Sequence, residues 1–321
     1  MKNKNIKLSL VIAALTTSVF VVDNAISNDS VNNLENSTDQ ILKTAISKIL
    51  DNNYEDAPEW FKRIEFEQTL SNNGKPQTGI TSVQPIYTSG NNYILNQSRI
   101  AYGNDGRTTG NLGLAYRYLG NQDKIIYGVN YFYDFEGPYG HQRSGLGAEL
   151  KSSAFEVNTN YYHPHTGWRD VDTIYEEHAL KGYDAEFGTQ LPYMPWAWAF
   201  AKGYQYESEI NQSENITGAQ YSLRLRPFEN IELESGYNNN NEAKPSNFLQ
   251  LRYRIGFNEP NTITKKKSMF ASTPFEYGKD MKEKIYEKIR RSNNITVERR
   301  VKGATGPTAG GTARVRVSVG S

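Results

Sequence analysis

The feature that most restricts the fold of this chain is an alternation of apolar and polar side chains, repeated over segments of about ten residues. In Ile125 to Phe135, one face carries Ile125, Tyr127, Val129, Tyr131, Tyr133 and Phe135, and the other carries Gly128, Asn130 and Asp134. In Asn247 to Phe257, Leu249, Leu251, Tyr253, Ile255 and Phe257 share one face, opposite Gln250, Arg252, Arg254 and Gly256. Leu112, Leu114, Tyr116 and Tyr118 against Gly113, Ala115 and Arg117 repeat the pattern, as do Tyr221, Leu223 and Leu225 against Ser222, Arg224 and Arg226. A period of two is that of a strand.

Short and longer clusters of Gly, Asn, Asp and Pro separate the segments in turn, which is the pattern of an antiparallel meander. It predicts twelve strands, near 61–70, 77–88, 93–103, 109–120, 124–136, 142–152, 154–164, 182–192, 196–207, 216–228, 230–238 and 247–257. A soluble sandwich also alternates, but its apolar faces favour Val, Leu and Ile. Here 22 Tyr dominate the aromatics. They crowd toward strand ends, as in Tyr131, Phe132, Tyr133 and Phe135 or Tyr193, Trp196, Trp198 and Phe200, and are expected to form the girdles of a membrane boundary. The predicted fold is all-β, a 12-stranded antiparallel transmembrane β-barrel in outer-membrane lipid. Tight turns at 89–92, 121–123 and 228–229 are expected on the periplasmic side, and the longer 165–181, 207–215 and 238–246 outside. The first long loop is large enough to carry structure of its own.

The N-terminus adds a compartment. Lys2, Lys4 and Lys7 precede an apolar run from Leu8 to Val22, and Ala25-Ile26-Ser27 offers small residues for cleavage, so residues 1–27 read as a secretory signal peptide. No later stretch is apolar enough for a spanning helix. Residues 28–257 carry 19 Lys+Arg against 28 Asp+Glu, a net of −9, and residues 258–321 carry 14 against 6, a net of +8. With a secretion signal, the basic part is not expected to meet nucleic acid. The chain has no cysteine, which excludes disulfides, thiolate metal sites and a cysteine nucleophile.

Two segments lie outside the meander. Ile41, Leu42, Ala45, Ile46, Ile49 and Leu50 predict an amphipathic helix over 39–52, within a periplasmic segment 28–58 that precedes the barrel at 59–258. After Phe257 come Lys265-Lys266-Lys267, a predicted helix over 276–291 with Met281, Ile285 and Ile289 as its apolar stripe, a break at Asn293-Asn294 and an extended stretch over 295–301. Residues 302–321 form a short tail, too short for a domain.

Chemistry is sparse. His163 and His165 with Asp170 and Asp172 suggest metal ligands, but spacing fixes no third ligand, and ordinary loop or lumen positions are the better reading. Ser144 near His141 lacks an orienting third group, so no enzyme is expected. Gly145-Leu146-Gly147 falls inside a strand and so is no phosphate loop; its glycines are expected to make room for lumen side chains. No cofactor is implied. Tyr253 and Phe257 give the last strand an aromatic end of the kind read by the barrel-assembly machinery.

The run from Tyr127 to Leu150, YGVNYFYDFEGPYGHQRSGLGAEL, resembles the barrel signature of the intimin and invasin family, the inverse autotransporters. NYYHPHTGWRDV, YEEHALKGYDAEFGTQLPYMP and the linker-like IRRSNNITVERR extend the resemblance over about residues 55–301. It marks Tyr133, Asp134, Gly140, His141, Arg143, Gly145, Gly147 and Glu149 as barrel-motif residues. It implies a barrel with both ends in the periplasm, served by periplasmic chaperones, and a linker over 259–301 returning through the pore as a helix. Lys284, Lys288, Arg290, Arg291, Asn293 and Asn294 would then lie in the lumen, facing acids such as Glu149, Glu156, Asp184, Glu186, Glu232 and Glu234. The tail would be displayed at the cell surface as an adhesin-like passenger remnant, with a host or cell-surface receptor as partner. Two other readings stand beside this one: an adhesive or structural barrel acting through its surface loop with Trp168 and Tyr175, and a diffusion porin, which a returning linker opposes. Whether the barrel forms a homodimer is open.

Overall fold

Twelve strands close into a barrel in which every neighbour is antiparallel. The computed structural model describes residues 63–210, 213–228, 230–255, 270–303 and 314–316. The expected signal peptide, the 39–52 helix and Phe257 lie outside the described residues. In chain order the strands are β1 (Ile64–Ser71), β2 (Gln77–Ser89), β3 (Asn92–Gly103), β4 (Thr108–Gly120), β5 (Ile125–Gly137), β6 (His141–Lys151), β7 (Phe155–Pro164), β8 (Arg169–Asp170), β9 (Tyr175–Ala179), β10 (Gly182–Leu191), β11 (Met194–Tyr206), β12 (Ile216–Phe228), β13 (Ile231–Asn240), β14 (Ser246–Ile255), β15 (Val297–Val301) and β16 (Arg314–Arg316). β1 closes on β14, with Ile64 opposite Ile255, and β7 pairs directly with β10. Closure satisfies every strand edge, the condition for strands to stand in hydrocarbon.

The pleat sorts the side chains as the alternation predicts. On β5, Tyr127, Val129, Tyr131, Tyr133 and Phe135 are exposed outward, while Ile126, Phe132 and Asp134 are fully buried inside. The short turns gather at one end of the barrel and the long 165–181 loop at the other. That loop leaves the wall to form β8 and β9, which join β15 and β16 in a separate sheet of order β16-β15-β9-β8.

Two expectations are corrected. Trp198, Phe200 and Phe132 are no girdle residues: their strand parity turns them into the lumen, where they are 5%, 4% and 0% exposed. Phe200 lies over Gly188 of the next strand and Phe132 over Gly113, close enough that a Cβ on either glycine would fall 2.3 Å from the ring. The second correction concerns 276–291, which is not an α-helix; a single 3-10 turn at Lys282–Lys284 is its only regular structure. The helix was expected from the spacing of Met281, Ile285 and Ile289, and these residues do bury together, against Val83, Leu95, Leu119, Ile126 and Phe132 of the inner wall. Their backbone is bonded partly by the 3-10 turn, where Lys284 N–H donates to Met281 O and Ile285 N–H to Lys282 O, and partly by the wall. The core of this molecule is therefore its lumen.

Candidate functional site

The segment 270–301 enters the lumen at the short-turn end. Ala271 N–H donates to Tyr193 O at 2.8 Å, Tyr193 N–H to Pro274 O at 2.7 Å, and Met281 N–H to Asp123 O at 2.7 Å, all on short turns. From Ile285 onward the partners lie inside. Arg117 Nη1 donates to the carbonyls of Ile285 and Glu287, at 2.5 and 2.7 Å. Ile289 N–H donates to Gln97 Oε1 at 2.7 Å, and Asn160 Nδ2 to Arg290 O at 3.2 Å. Arg143 Nη2 donates to Ser292 O at 2.7 Å, Ser292 N–H to Tyr162 Oη at 2.8 Å, and Asn111 Nδ2 to Asn293 O at 2.8 Å. Buried backbone groups need partners. From Ile285 to Asn293 wall side chains supply many of them, and the thread forms no α-helix where its sequence favours one.

Its charges are held too. Arg290 Nε and Nη2 reach the Glu186 carboxylate at 2.5 and 3.1 Å, and Nη2 reaches Glu234 Oε1 at 3.0 Å. Arg291 is bidentate on Asp134, at 2.9 and 2.7 Å. Asp134 also accepts from Arg143 Nε at 2.9 Å and Asn111 Nδ2 at 2.8 Å. The thread's Glu287 meets Arg226 at 2.6 Å, and Lys288 stands 3.8 Å from Glu67. Lys284 instead sits 4.5 Å from the centroid of the Trp198 ring, and Arg290 lies 3.8 Å from that of Phe200. The lumen aromatics that were expected at the membrane boundary thus give the cations faces to stack on. Wall acids are matched by wall bases as well: Arg117 by Glu149, Arg99 by Glu67, and Arg252 by Glu232 and Glu234. The thread completes a nearly balanced network. Removing such charges from water costs several kcal/mol each, which only close pairing offsets.

At the long-loop end the thread becomes a strand. Leu180 N–H donates to Thr296 O at 2.9 Å, and β15 then pairs with β9, Val297 opposite Ala179 and Val301 opposite Tyr175. Glu177 of β9 fastens this cap to the barrel. It accepts from Arg107 at 2.6 and 2.8 Å and from Arg299 of the thread at 2.6 and 2.9 Å, with His141 Nε2 at 3.6 Å. Burial alone would raise its carboxyl, but the nearby His141 and the bonds and charge of Arg107 hold it down at about 2. Glu298 turns the other way, to Ser208 Oγ at 2.8 Å and Glu209 N–H at 2.5 Å, and burial pushes its carboxyl up.

The barrel-motif residues divide between the two faces. Asp134 and Arg143 meet the thread, Glu149 binds Arg117 and Lys151, and His141 is fully buried beside Glu177. Gly145 leaves room for Arg291, whose Nη2 would lie 2.9 Å from an added Cβ, and Gly147 leaves room for Asn130 and Asn160. Gly140 makes the turn into β6 at a φ of +71°. Tyr133 faces outward, donating to Gln142 Oε1 at 2.6 Å. Tyr253 accepts from Asn230 Nδ2 at 3.3 Å. Asn294 exchanges two hydrogen bonds with Gln77, each 3.1 Å. Trp168 lies half-buried with Arg300 3.7 Å from its ring centroid, and Tyr175 has Arg299 at 5.8 Å. Ser144 and His141 point to opposite faces of β6, so they form no dyad. His163 and His165 project outward, and among the described residues no group of three or more His, Cys, Asp or Glu could hold a metal ion. The wall donors Gln97, Asn111, Asn160 and Tyr162 were not singled out in the sequence, and Arg117 only as one residue of a polar face; a polar side chain at mid-strand was their only signal.

A closed twelve-stranded barrel with a lipid-suited outer face and a chain through its lumen belongs to the class of outer-membrane barrels. The model of the inverse autotransporter β-domain matches residues 15–293, and the chain belongs to that family, in the bacterial outer membrane. It is 24% identical over 270 residues to the inverse autotransporter adhesin YeeJ of Escherichia coli K12, covering 74% of this chain and 10% of that one. To the invasin of Yersinia enterocolitica it is 23% identical over 254 residues, 74% of this chain and 29% of that one. To an attaching and effacing protein homolog of Escherichia coli K12 it is 30% identical over 131 residues, 40% of this chain and 44% of that one. The chain therefore spans less than half the length of each of these relatives. A solved membrane-protein chain from work on in-meso crystallization superposes with a TM-score of 0.61 at 21% identity, over 74% of this chain and 99% of that one.

Proposed function

We propose that the barrel is the translocator for its own C-terminal segment, which it displays at the cell surface in the manner of an adhesin or invasin. The observation that carries this reading is the continuous course of 281–301 from the short-turn end, through paired charges and wall donors, to strand β15 on the long-loop cap. On this reading the short-turn end faces the periplasm, where chaperones and the barrel-assembly machinery receive the chain, with Tyr253 and Phe257 in the assembly signal. Residues 281–296 are the pore linker, and the tail beyond 301 meets a host or cell-surface receptor. The reading of an adhesive loop centred on Trp168 and Tyr175 is weaker, because both rings lie under guanidinium groups of the thread. An epitope placed after Ser321 tests the proposal: antibody and protease should reach it on intact cells while the barrel stays in the outer membrane. Access only after permeabilisation contradicts it.

A further inference from the structure

Before it enters the lumen, the thread runs along the rim of the barrel. Residues 270–282 cross the short turns after β10, β6 and β4, which follow one another around the wall because β7 pairs with β10. Besides the bonds at Tyr193 and Asp123, Glu276 N–H donates to Gln190 Oε1 at 3.1 Å and Lys279 N–H to Ser153 Oγ at 3.4 Å, while Lys282 Nζ lies 2.6 Å from Asp123 Oδ2. The rim is shaped to take this strap. Asp123 and Tyr193, whose backbones it bonds, hold φ at +65° and +62°, a region that strains residues other than glycine and that marks sites held for a purpose.

The strap does not bury its rings. Tyr277 is 72% exposed and Phe270 59%, and Phe275 lies against Tyr277 with ring centroids 5.5 Å apart. Tyr193, to which the strap is bonded, is itself exposed, as are Tyr118 and Tyr127, cross-strand partners on the outer wall beside the turn after β4. Clustered exposed rings mark a surface that something covers. At the end of a barrel wall, level with outward tyrosines, the neighbour is the headgroup layer, where an aromatic ring keeps its body in an apolar medium and its polar edge wet. The charges agree with this partner. Lys279 pairs with Glu276 and Lys282 with Asp123, so neither strap lysine adds a bare charge, and Lys265, Lys266 and Lys267 just upstream carry the sign that suits lipid phosphates. We infer that residues 270–282 form a membrane-interface anchor, with Phe270, Phe275 and Tyr277 seated among the phospholipid headgroups at the short-turn end. This goes beyond the display reading and does not depend on it, since the rim meets lipid whether or not the tail is exported.

The absence of cysteine makes the test direct. Tyr277→Cys and, in the exposed loop between β8 and β9, Thr173→Cys are each placed in the full chain, labelled with an environment-sensitive thiol fluorophore, and reconstituted in vesicles of phosphatidylethanolamine and phosphatidylglycerol. A lipid carrying a nitroxide near its headgroup should quench the label at 277 several-fold more than the label at 173, with a blue-shifted emission at 277. Equal quenching at the two positions, with the label at 277 open to aqueous iodide, would overturn the inference. A combined Phe270→Ser, Phe275→Ser and Tyr277→Ser chain should keep the heat-dependent mobility of a folded barrel while the Ala271 and Met281 amides exchange hydrogen several-fold faster in the same vesicles. Unchanged exchange in the folded variant would reject the anchor; if the variant does not fold, the quenching ratio decides alone.

Discussion

The two sides of the lumen hold the threaded chain by different means. From β3 to β7, Gln97, Asn111, Arg117, Arg143, Asn160 and Tyr162 bond the thread's backbone. From β10 to β13, Glu186, Glu234 and Arg226 bond its side chains, Arg290 and Glu287. Backbone contacts are indifferent to sequence and hold an extended chain in any register. Side-chain pairs hold one register, and Asp134 on β5 adds such a pair to the first wall. The first wall holds the backbone of the thread, and the carboxylates fix its register.

The largest effect should come from the residue that joins the two modes. Asp134→Ala strands Arg143 and Arg291 together in a buried site, and breaking such a pair costs about 3–5 kcal/mol. Thermal unfolding of the purified barrel should fall accordingly, with protease cutting the thread near Arg291. Arg290→Ala should come next, because it leaves Glu186 and Glu234 facing each other without their shared cation. Glu186→Gln alone should cost less than Arg290→Ala, since Glu234 keeps the guanidinium. If the two variants melt alike, Arg290 is not shared as described.

The cap should show its own pH dependence. Glu177 is held at about 2, below the ordinary carboxyl value of 4.5, so its contribution is complete above that ordinary value and fades as pH falls toward 2. Protection factors at β15, corrected for the intrinsic exchange rate at each pH, should therefore fall on acidification, and Glu177→Gln should remove most of that dependence. The smallest effect belongs to the backbone grip: Gln97→Ala, which removes one bond to Ile289 N–H, should cost about 1 kcal/mol and leave the register unchanged, because the carboxylates set it. A register shift in that variant, read from cross-links to Arg290, would erase the distinction between the walls.

The barrel was legible because its signal is repetitive. β4 and β5 each alternate along nearly their whole length, and either of them slipped by one would turn its Tyr inward and, on β4, Arg117 outward. Trp198 and Phe200 were misplaced because aromatic content was read without parity: β11 carries Ala199, Ala201 and Gly203 outward and its rings inward. The thread was legible in charge and in burial but not in conformation. Met281, Ile285 and Ile289 do share a buried cluster, yet Arg117 takes the carbonyls of Ile285 and Glu287 that a helix would have used. That competition lies between residues more than 160 apart, where local periodicity carries no information. The pairing of Arg290 and Arg291 with wall acids was expected in kind, whereas the choice of Asp134, from the same motif that supplies Arg143, emerges only from the closed barrel.

The central claim is that the chain rests docked in its own lumen, and Asn111 and Asn293 report on it most directly, since Asn111 Nδ2 lies 2.8 Å from Asn293 O across 182 positions of sequence. Asn111→Cys combined with Asn293→Cys in the otherwise cysteine-free chain should be joined by a short bis-maleimide in outer membranes, with loss of both free thiols and no species of twice the chain mass. Two thiols that stay free and react with a water-borne maleimide, in a barrel that conducts ions, would show an open lumen and contradict the account.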